Sequence, residues 1–345
     1  MNIVIMAGGK GTRFWPRSTC DLPKQFIALH SERSLIQETV NRFTSTSFAR
    51  EEQIYIAAPS VYLPLITEQL PHIPPSQLII EPQQRDTAAC MALTALTFLQ
   101  QNKDDPLVFV PSDQWVSDSE AFRAAISTAS RVAERERTIA TIGAVPDRAE
   151  TGFGYLETSG PAHTSEGSIP QGQFYKVSRF LEKPTERIAA ELITNPSVYW
   201  NCGIWIWRPS TIAYYMARHA PGVWNTLVNG YDELGEAYKA VPSLSIDYAV
   251  MEHTESIYCV PVSCGWDDLG SWSALRRHIK ADGGGNVIRG DVHTAEAYNN
   301  TIDIDQAALI IGVSDLIIVS TPNGLLICPR SEEPRLKDWL KERLN

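Results

Sequence analysis

Short apolar runs alternate with amphipathic stretches through most of this chain. Asn2 to Met6 is nearly all apolar, as expected of a parallel strand covered on both faces, and it stops at Gly8-Gly9-Lys10-Gly11-Thr12-Arg13. Leu35 to Phe43 then reads as a helix, Ile54 to Ala58 as a strand, Val61 to Leu70 as a helix and Leu78 to Ile80 as a strand. Asp86 or Thr87 is placed to cap a helix carrying Met91, Leu93, Leu96 and Leu99, and Leu107 to Val110 is again an all-apolar strand. Ser117 and Glu120 have capping-box spacing ahead of Phe122, Ile126, Ala129 and Ala133, and Thr138 to Val145 closes the series. Repeated βα units of this kind predict an α/β fold with a mostly parallel, Rossmann-like sheet and right-handed crossovers.

The pattern changes at Gly283-Gly284-Gly285. Thr301 to Asp305, Leu309 to Val313, Leu316 to Ser320 and Leu325 to Cys328 predict short strands, and a last amphipathic helix places Leu336, Trp339, Leu340 and Leu344 on one face. The expected organisation is an α/β domain over 1–282 and a small β-rich domain with a tail helix over 283–345, in keeping with a length of 345 residues. A net charge of −10 argues against a nucleic-acid or anionic-membrane partner, which would meet a basic face. Six cysteines without a C-x-x-C pair suit reduced thiols in a core better than disulfides or a zinc site. No charged leader with a long apolar run and no membrane-length apolar stretch is present, so a cytoplasmic protein is expected, in which the sequon Asn299-Asn300-Thr301 has no role.

The loop after the first strand carries the strongest candidate chemistry. Gly8, Gly9 and Gly11 admit positive φ and remove side chains, so backbone N–H groups in a cradle that includes Thr12 can converge on a phosphate chain. Arg13 and, past a segment bracketed by prolines, Lys24 add positive charge. A Walker A loop would end in Gly-Lys-Ser/Thr, which is lacking; a dinucleotide fingerprint would need a glycine where Phe14 stands and a helix where Trp15-Pro16 follows. Taken alone, the loop is also compatible with an ordinary glycine turn. Gly-Gly-x-Gly-Thr-Arg-x-Trp-Pro-x-Ser followed by Pro23-Lys24-Gln25-Phe26 resembles the signature of the sugar-nucleotide pyrophosphorylases, in particular the branch that transfers GMP to mannose 1-phosphate.

In an open α/β sheet the ligand sits outside the carboxyl ends of the strands, where Pro111-Ser112-Asp113 falls. A carboxylate facing a triphosphate there suits Mg²⁺, which one or two carboxylates plus phosphate oxygens typically hold, although a lone Pro-Ser-Asp also reads as a solvated turn. The resemblance extends to this segment, with Gln114 where histidine is common in the family, and implies that Asp113 is a metal ligand. Glu81-Pro82-Gln83-Gln84-Arg85-Asp86-Thr87-Ala88 resembles the family's segment near the base, with Asp86, Ala89 and Cys90 where Asn, Pro and Ala are typical. Guanine offers adjacent N1–H and N2–H₂ donors that Glu81 or backbone carbonyls can accept together; Glu81 and Arg85 also read as a surface ion pair at a helix start.

The second half resembles the family's sugar-phosphate segments. Thr151 to Glu157 contains Gly152 and Tyr155, Trp200 to Trp205 contains Asn201 and Gly203, and Phe180-Leu181-Glu182-Lys183-Pro184 matches a motif in which the lysine meets the 1-phosphate and the glutamate a hydroxyl. Without the resemblance, Glu182-Lys183-Pro184 is a charged strand end before a helix capped by Thr185. Ser245 to Glu252 also matches the family closely, but Tyr248 and Met251, like Trp205 and Trp207, are expected in the core. Gly265 to Trp272 follows the strand Ile257 to Val262 and resembles the family's Trp-Ser-Asp-Leu/Val-Gly-Ser-Trp. That alignment makes Asp268 the second Mg²⁺ ligand, with Asp267 where serine is usual. Successive side chains of extended backbone point to opposite faces, so at most one of the two should reach a metal easily; Asp268 is the expected ligand, with Asp267 as the alternative.

The implied reaction is attack of mannose 1-phosphate on the α-phosphorus of GTP, assisted by Mg²⁺ and by Arg13, Lys24, Asp113 and Asp268, yielding GDP-mannose and pyrophosphate. The alternatives are another sugar 1-phosphate or base, or a catalytically silent nucleotide-sugar sensor, which would be expected to have lost part of this set. The C-terminal segment resembles that of short guanylyltransferases, with Asn323-Gly324 where Asp-Ala is common, so the extra isomerase domain of bifunctional relatives is not expected. An exposed β appendage is compatible with a homodimer.

Overall fold

Alternating buried strands and amphipathic helices build the first of two compact units, Met1–Gly8 with Thr39–Trp266; the second comprises Gly9–Glu38 with Asp267–Asn345. The structure, a computed structural model, describes residues 1–9, 11–160 and 172–343, so Lys10 and Leu344 of the patterns above lie outside the described residues.

The strands of the first unit are β1 (Asn2–Met6), β2 (Ile54–Pro59), β3 (Leu78–Glu81), β4 (Leu107–Pro111), β5 (Ile139–Ala144), β6 (Tyr155–Thr158), β7 (Tyr175–Leu181), β8 (Val198–Trp207) and β9 (Ile257–Val262). Among the described residues they form one sheet in the order β3-β2-β1-β4-β8-β5-β9-β7-β6. From β3 to β4 the strands are parallel, with Val4 level with Tyr55 on one side and Phe109 on the other. β2 and β5 are buried along their whole length and β1 and β4 along most of theirs, the pattern of strands covered on both faces. The Rossmann-like α/β expectation holds, with a mixed half beyond β4. There β8 lies antiparallel between β4 and β5, and it is long enough to pair with β6 as well.

The helices connecting these strands are α1 (Leu35–Thr44), α2 (Leu63–Gln69), α3 (Asp86–Gln100), α4 (Ser119–Ala133), α5 (Glu186–Leu192), α6 (Pro209–His219), α7 (Pro221–Asn229), α8 (Leu234–Ala240) and α9 (Ile246–Ala249). α3 is buried on nearly every side. Ala88, Ala89, Ala92 and Ala95 admit close neighbours, and it packs against α6, α7 and α9 in a core that also takes in Trp205 and Trp207. Asp118 rather than Ser117 caps α4, accepting from Glu120 N at 3.0 Å and Ala121 N at 2.9 Å, while Ser117 donates its hydroxyl to Cys264 O at 3.0 Å. Tyr248 departs from the expected core: α9 is a single turn that points Ile246 and Ala249 inward and leaves Tyr248 53% exposed. Met251 is buried as expected.

The second unit holds α10 (Trp272–Arg276), β10 (Val287–Arg289), β11 (Val292–Ala295), β12 (Thr301–Ile304), β13 (Ala308–Ile311), β14 (Leu316–Thr321), β15 (Gly324–Pro329) and α11 (Leu336–Arg343). β10, β12 and β14 stack in parallel, β11 and β13 form a second parallel pair, and β15 closes against β14 antiparallel. Asn300, fully buried, ties the layers together: its N–H and side-chain amide donate to Asn286 Oδ1, the amide also reaches Val313 O, and its Oδ1 accepts from Leu316 N. All six cysteines are free, and Cys90, Cys202, Cys259 and Cys264 are buried. No described helix is long and apolar enough to cross a membrane.

Replacing Asp118 by Ala should lower the unfolding free energy by about 1 kcal/mol in a denaturant titration and speed amide exchange at Glu120 and Ala121. Ser117→Ala should leave those two amides protected.

Candidate active site

The first unit offers its switch point. From β1 the chain turns to β2 and β3 on one side and crosses to β4 on the other, so the carboxyl ends of β1 and β4 border the crevice where open α/β sheets take ligands. Gly8 follows β1 and Asp113 follows β4; Met6 pairs with Pro111, and Ser112 N donates to Met6 O at 3.1 Å. Asp113 is partly exposed, whereas Gln114 beside it is buried and bridges two segments, donating to Cys202 O at 2.6 Å and accepting from Trp266 Nε1 at 3.0 Å. The glutamine that replaces the family's histidine thus fixes the Asp113 turn. Gln84, from the loop after β3, donates to Gly8 O, which brings the segment of Glu81 and Arg85 to the residues just after β1.

Glu81 itself turns inward. It is 3% exposed, its Oε1 accepts from Tyr238 OH at 3.2 Å, and burial pushes its carboxyl up to about 7 against the opposing hydrogen bonds from Tyr238 and Cys90. Arg85 donates to Tyr238 O at 2.8 Å and Lys239 O at 3.3 Å, so its guanidinium sits on carbonyls at the end of α8, where a cation complements the helix dipole. Neither side chain presents its charge to a ligand in this arrangement.

Of the candidate sugar-phosphate residues, Glu182 lines an open cleft of about 410 Å³ together with Phe180, Leu181, Tyr248, Met251 and Glu252. Lys183 has a left-handed φ of 45° and pairs its ammonium with Glu182 Oε1. Glu182 Oε2 lies against Gly154, where a Cβ would come within 2.6 Å of it, so this glycine rather than the exposed Gly152 admits the close approach. Asn201 N donates to Gly154 O at 2.8 Å and Asn201 Oδ1 accepts from Gly203 N at 3.1 Å, which joins Asn201 and Gly203 to the same strand ends. Tyr155 is buried with its hydroxyl bonded to both N and O of Glu150, a supporting place behind the Gly152 turn. Asp247 lies in the matched segment Ser245 to Glu252, but the match gave it no role. Burial, and then the charge of Glu182, push this carboxyl up to about 7, a property of its surroundings that the segment's sequence does not state.

In the second unit the cationic residues gather. Gly11 has φ +57° and a Cβ there would lie 2.3 Å from Lys24 Cβ and 2.8 Å from Lys24 N, so only glycine lets the two parts of the loop close on each other. Gly9, exposed, accepts from Gln25 Nε2 at 2.9 Å, and Thr12 O accepts from Trp15 N in a short 3₁₀ turn. Lys24 is only 4% exposed: its ammonium donates to Asp268 O at 2.8 Å and lies 5.7 Å from the centre of the Phe14 ring. Arg13, exposed, donates to Gly270 O at 3.2 Å. A Cβ on Gly270 would meet Asp268 Oδ2 at 2.7 Å and Arg13 Nη1 at 3.0 Å, so guanidinium and carboxylate converge on one bare Cα.

The same geometry separates the adjacent aspartates. Asp267 Oδ2 accepts from Arg277 Nη2 at 2.6 Å and Nε at 3.1 Å, and its Oδ1 accepts from Leu269 N at 3.0 Å. Burial alone would raise its pKa, yet hydrogen bonds from His278 and Arg277 hold this carboxylate well below its usual range. Asp267 is therefore committed to the scaffold. Asp268 is partly exposed, with Oδ1 accepting from Gly270 N at 2.8 Å. Among the described residues no cluster of three or more His, Cys, Asp or Glu side chains could cage a metal, so a cation bound here would rely on one or two carboxylates and ligand oxygens, the donor set that Mg²⁺ accepts.

The nucleotidyl transferase family model matches residues 2–283. The chain belongs to this family. Among relatives, this nucleotidyl transferase is 34% identical to a mannose-1-phosphate guanylyltransferase of Escherichia coli, over 98% of the chain and 74% of that protein, and 33% identical to one of Salmonella typhimurium, over 98% and 72%. Among solved structures, a Thermus thermophilus protein described as mannose-1-phosphate geranyltransferase superposes with a TM-score of 0.87 at 29% identity, covering 100% of this chain and 99% of that one. The transferase is thus an enzyme of the sugar-nucleotide-forming kind seen in these relatives.

Gly11→Ala should be among the most damaging small substitutions in this transferase, since it combines strained φ with a backbone clash; the expected result is loss of activity with the first unit still folded, read by circular dichroism and turnover. Glu81→Gln tests the inward carboxyl. With a native pKa of about 7 against an ordinary 4.5, the folded state holds more protons than the unfolded one in that window, so stability is present below it and lost as pH rises through it. Stability of the variant relative to the parent should therefore increase from pH 4 to pH 8, by roughly 3 kcal/mol at most.

Proposed function

We propose that this enzyme transfers GMP from GTP to mannose 1-phosphate, releasing pyrophosphate. The observation that carries the reading is the convergence of Arg13 and Asp268 on Gly270, with the Lys24 ammonium on the Asp268 carbonyl. In this reading the anionic 1-phosphate oxygen attacks the α-phosphorus in line, the bond to the pyrophosphate oxygen breaks, and no base is required because the nucleophile carries no proton. Arg13 stabilises charge that develops on the transferring and leaving phosphates, Gly8, Gly9 and Gly11 present backbone N–H groups, and Lys24 holds the loop that aims them. Asp113 and Asp268 are the proposed protein ligands of Mg²⁺, which when bound would neutralise phosphate charge. Lys183 meets the acceptor phosphate, while Glu182 and Asn201 bond sugar hydroxyls at the cleft. With the Glu81 carboxyl turned inward, backbone carbonyls of the same segment are the proposed acceptors for guanine N1–H and N2–H₂. The names of the relatives support the substrate pair, and the motif match supports the roles.

Pyrophosphate release measured with Mg²⁺ for four nucleoside triphosphates against mannose, glucose and heptose 1-phosphates should be confined to GTP with mannose 1-phosphate. Release with another pair would keep the chemistry and discard the specificity, and binding without release would favour a sensor. In the productive pair, Arg13→Ala should lower turnover by about 10² or more, as removal of other preorganised charge donors does. Normal turnover of that variant would remove Arg13 from the mechanism.

A further inference from the structure

Within the second unit, the segment Gly9–Glu38 is fastened to the C-terminal strands by a set of charged and polar contacts that the proposed reaction does not use. Arg17 lies four positions after Arg13 in this segment. Its Nε donates to Asp303 Oδ2 at 3.1 Å and its Nη2 to Asp303 Oδ1 at 2.6 Å, and Nη2 also lies 2.6 Å from Asp305 Oδ1. Asp303, on β12, is 2% exposed. It stands 3.6 Å from Arg289 Nη1 on β10, and the Arg289 guanidinium donates to the carbonyls of Ala28 and Leu29 at the far end of the segment. One buried carboxylate therefore holds both ends of the loop. Between them, Pro16 O accepts from Thr321 Oγ1 at 3.2 Å and Asn323 Nδ2 at 3.4 Å, and Gly324 sits against the Trp15 ring. The clamp is coupled to the cationic residues by short links: Ser18 N donates to Phe14 O at 3.1 Å, and the Phe14 ring lies against Trp272 and beneath the Lys24 ammonium.

We infer that Arg17 and Asp303 are positioning residues, and that the C-terminal β stack aims Arg13 and the glycine N–H groups at the phosphates instead of forming an appendage. The inference rests on the proposed phosphate chemistry for its catalytic consequence, but the clamp itself is a property of the loop. Bidentate arginine–carboxylate pairs fix orientation as well as distance, which is what a loop almost without regular structure requires.

The test uses the full chain with Arg17→Lys and Asp303→Asn. Lysine keeps the charge and loses the fork, and in Asp303→Asn the arginine still has Asp305, so neither variant strands a buried charge and the fold should survive. Three quantities are read: the thermal midpoint, amide exchange over residues 11–28 against the rest of the chain, and the affinity for inorganic triphosphate without sugar. Both variants should keep the midpoint within a few degrees, exchange faster only over residues 11–28, and bind inorganic triphosphate roughly tenfold to a hundredfold more weakly. With the productive substrates, kcat and the KM for the nucleotide should worsen while the KM for the sugar phosphate stays unchanged. Unaltered exchange and triphosphate affinity in both variants would overturn the inference, and so would a uniform loss of protection with a large fall in the midpoint, which marks a merely structural pair. Parental enzyme that turns over no substrate pair would refute the proposed function alone, because the exchange experiment judges the clamp without it.

Discussion

A loop without its own secondary structure cannot hold itself. Between β1 and α1 the described chain forms only the 3₁₀ turns Thr12–Phe14 and Lys24–Phe26, so most of its backbone groups lack partners in a helix or ladder and its conformational entropy opposes order. Partners come from side chains within the second unit, both of the loop itself and of its C-terminal part. Gln25 takes Gly9 O, Arg289 takes Ala28 O and Leu29 O, Thr321 takes Pro16 O, and Lys24 in turn takes Asp268 O. Each of these bonds is modest, yet each also fixes the place of a charged or glycine residue that the proposed chemistry needs.

Charge is managed locally. The chain carries a net −10, but two of its buried carboxylates are paired with arginines, Asp267 with Arg277 and Asp303 with Arg17 and Arg289. Such pairs contribute little net stability after desolvation, but removing one partner leaves a charge in a poor solvent, so they specify geometry strongly. The consequence is clearest at Asp267-Asp268, where two identical side chains in sequence have different work. One is buried and saturated by Arg277 and Leu269, and the other faces outward beside Arg13.

Periodicity made the strands from β1 to β5 and the helices from α1 to α4 legible, because each is a long apolar or amphipathic run bounded by polar residues. β10 and β11 were not, since three and four residues ending beside Arg289, Asp291 and His293 give no run to detect. The glycine loop, Asp113, Lys183 and Asp268 were found through motif, which locates residues along the chain but leaves side-chain direction unstated. Direction decided the rest: Glu81 turns toward Tyr238, Arg85 caps α8, Tyr155 bonds Glu150 and Tyr248 opens to the cleft. The union of Gly9–Glu38 with Asp267–Asn345 is a long-range pairing set by Arg17–Asp303, and no local pattern encodes which of many acidic residues an arginine will meet.

The corner around Lys183 shows the same principle. Glu182 and Asp247 bring two carboxyls near each other beside Lys183, with Asp86 adding a further negative charge. Two ionised carboxylates there would repel one another. Burial of Asp247 removes that conflict, because a carboxyl raised to about 7 keeps its proton over much of the acidic-to-neutral range while Glu182 stays paired with Lys183. A protonated carboxyl donates as well as accepts, so the pair holds both kinds of hydrogen-bonding group where two carboxylates would only accept. The burial that disfavours charge on Asp247 is thus what lets this acidic corner carry a second carboxyl beside Glu182.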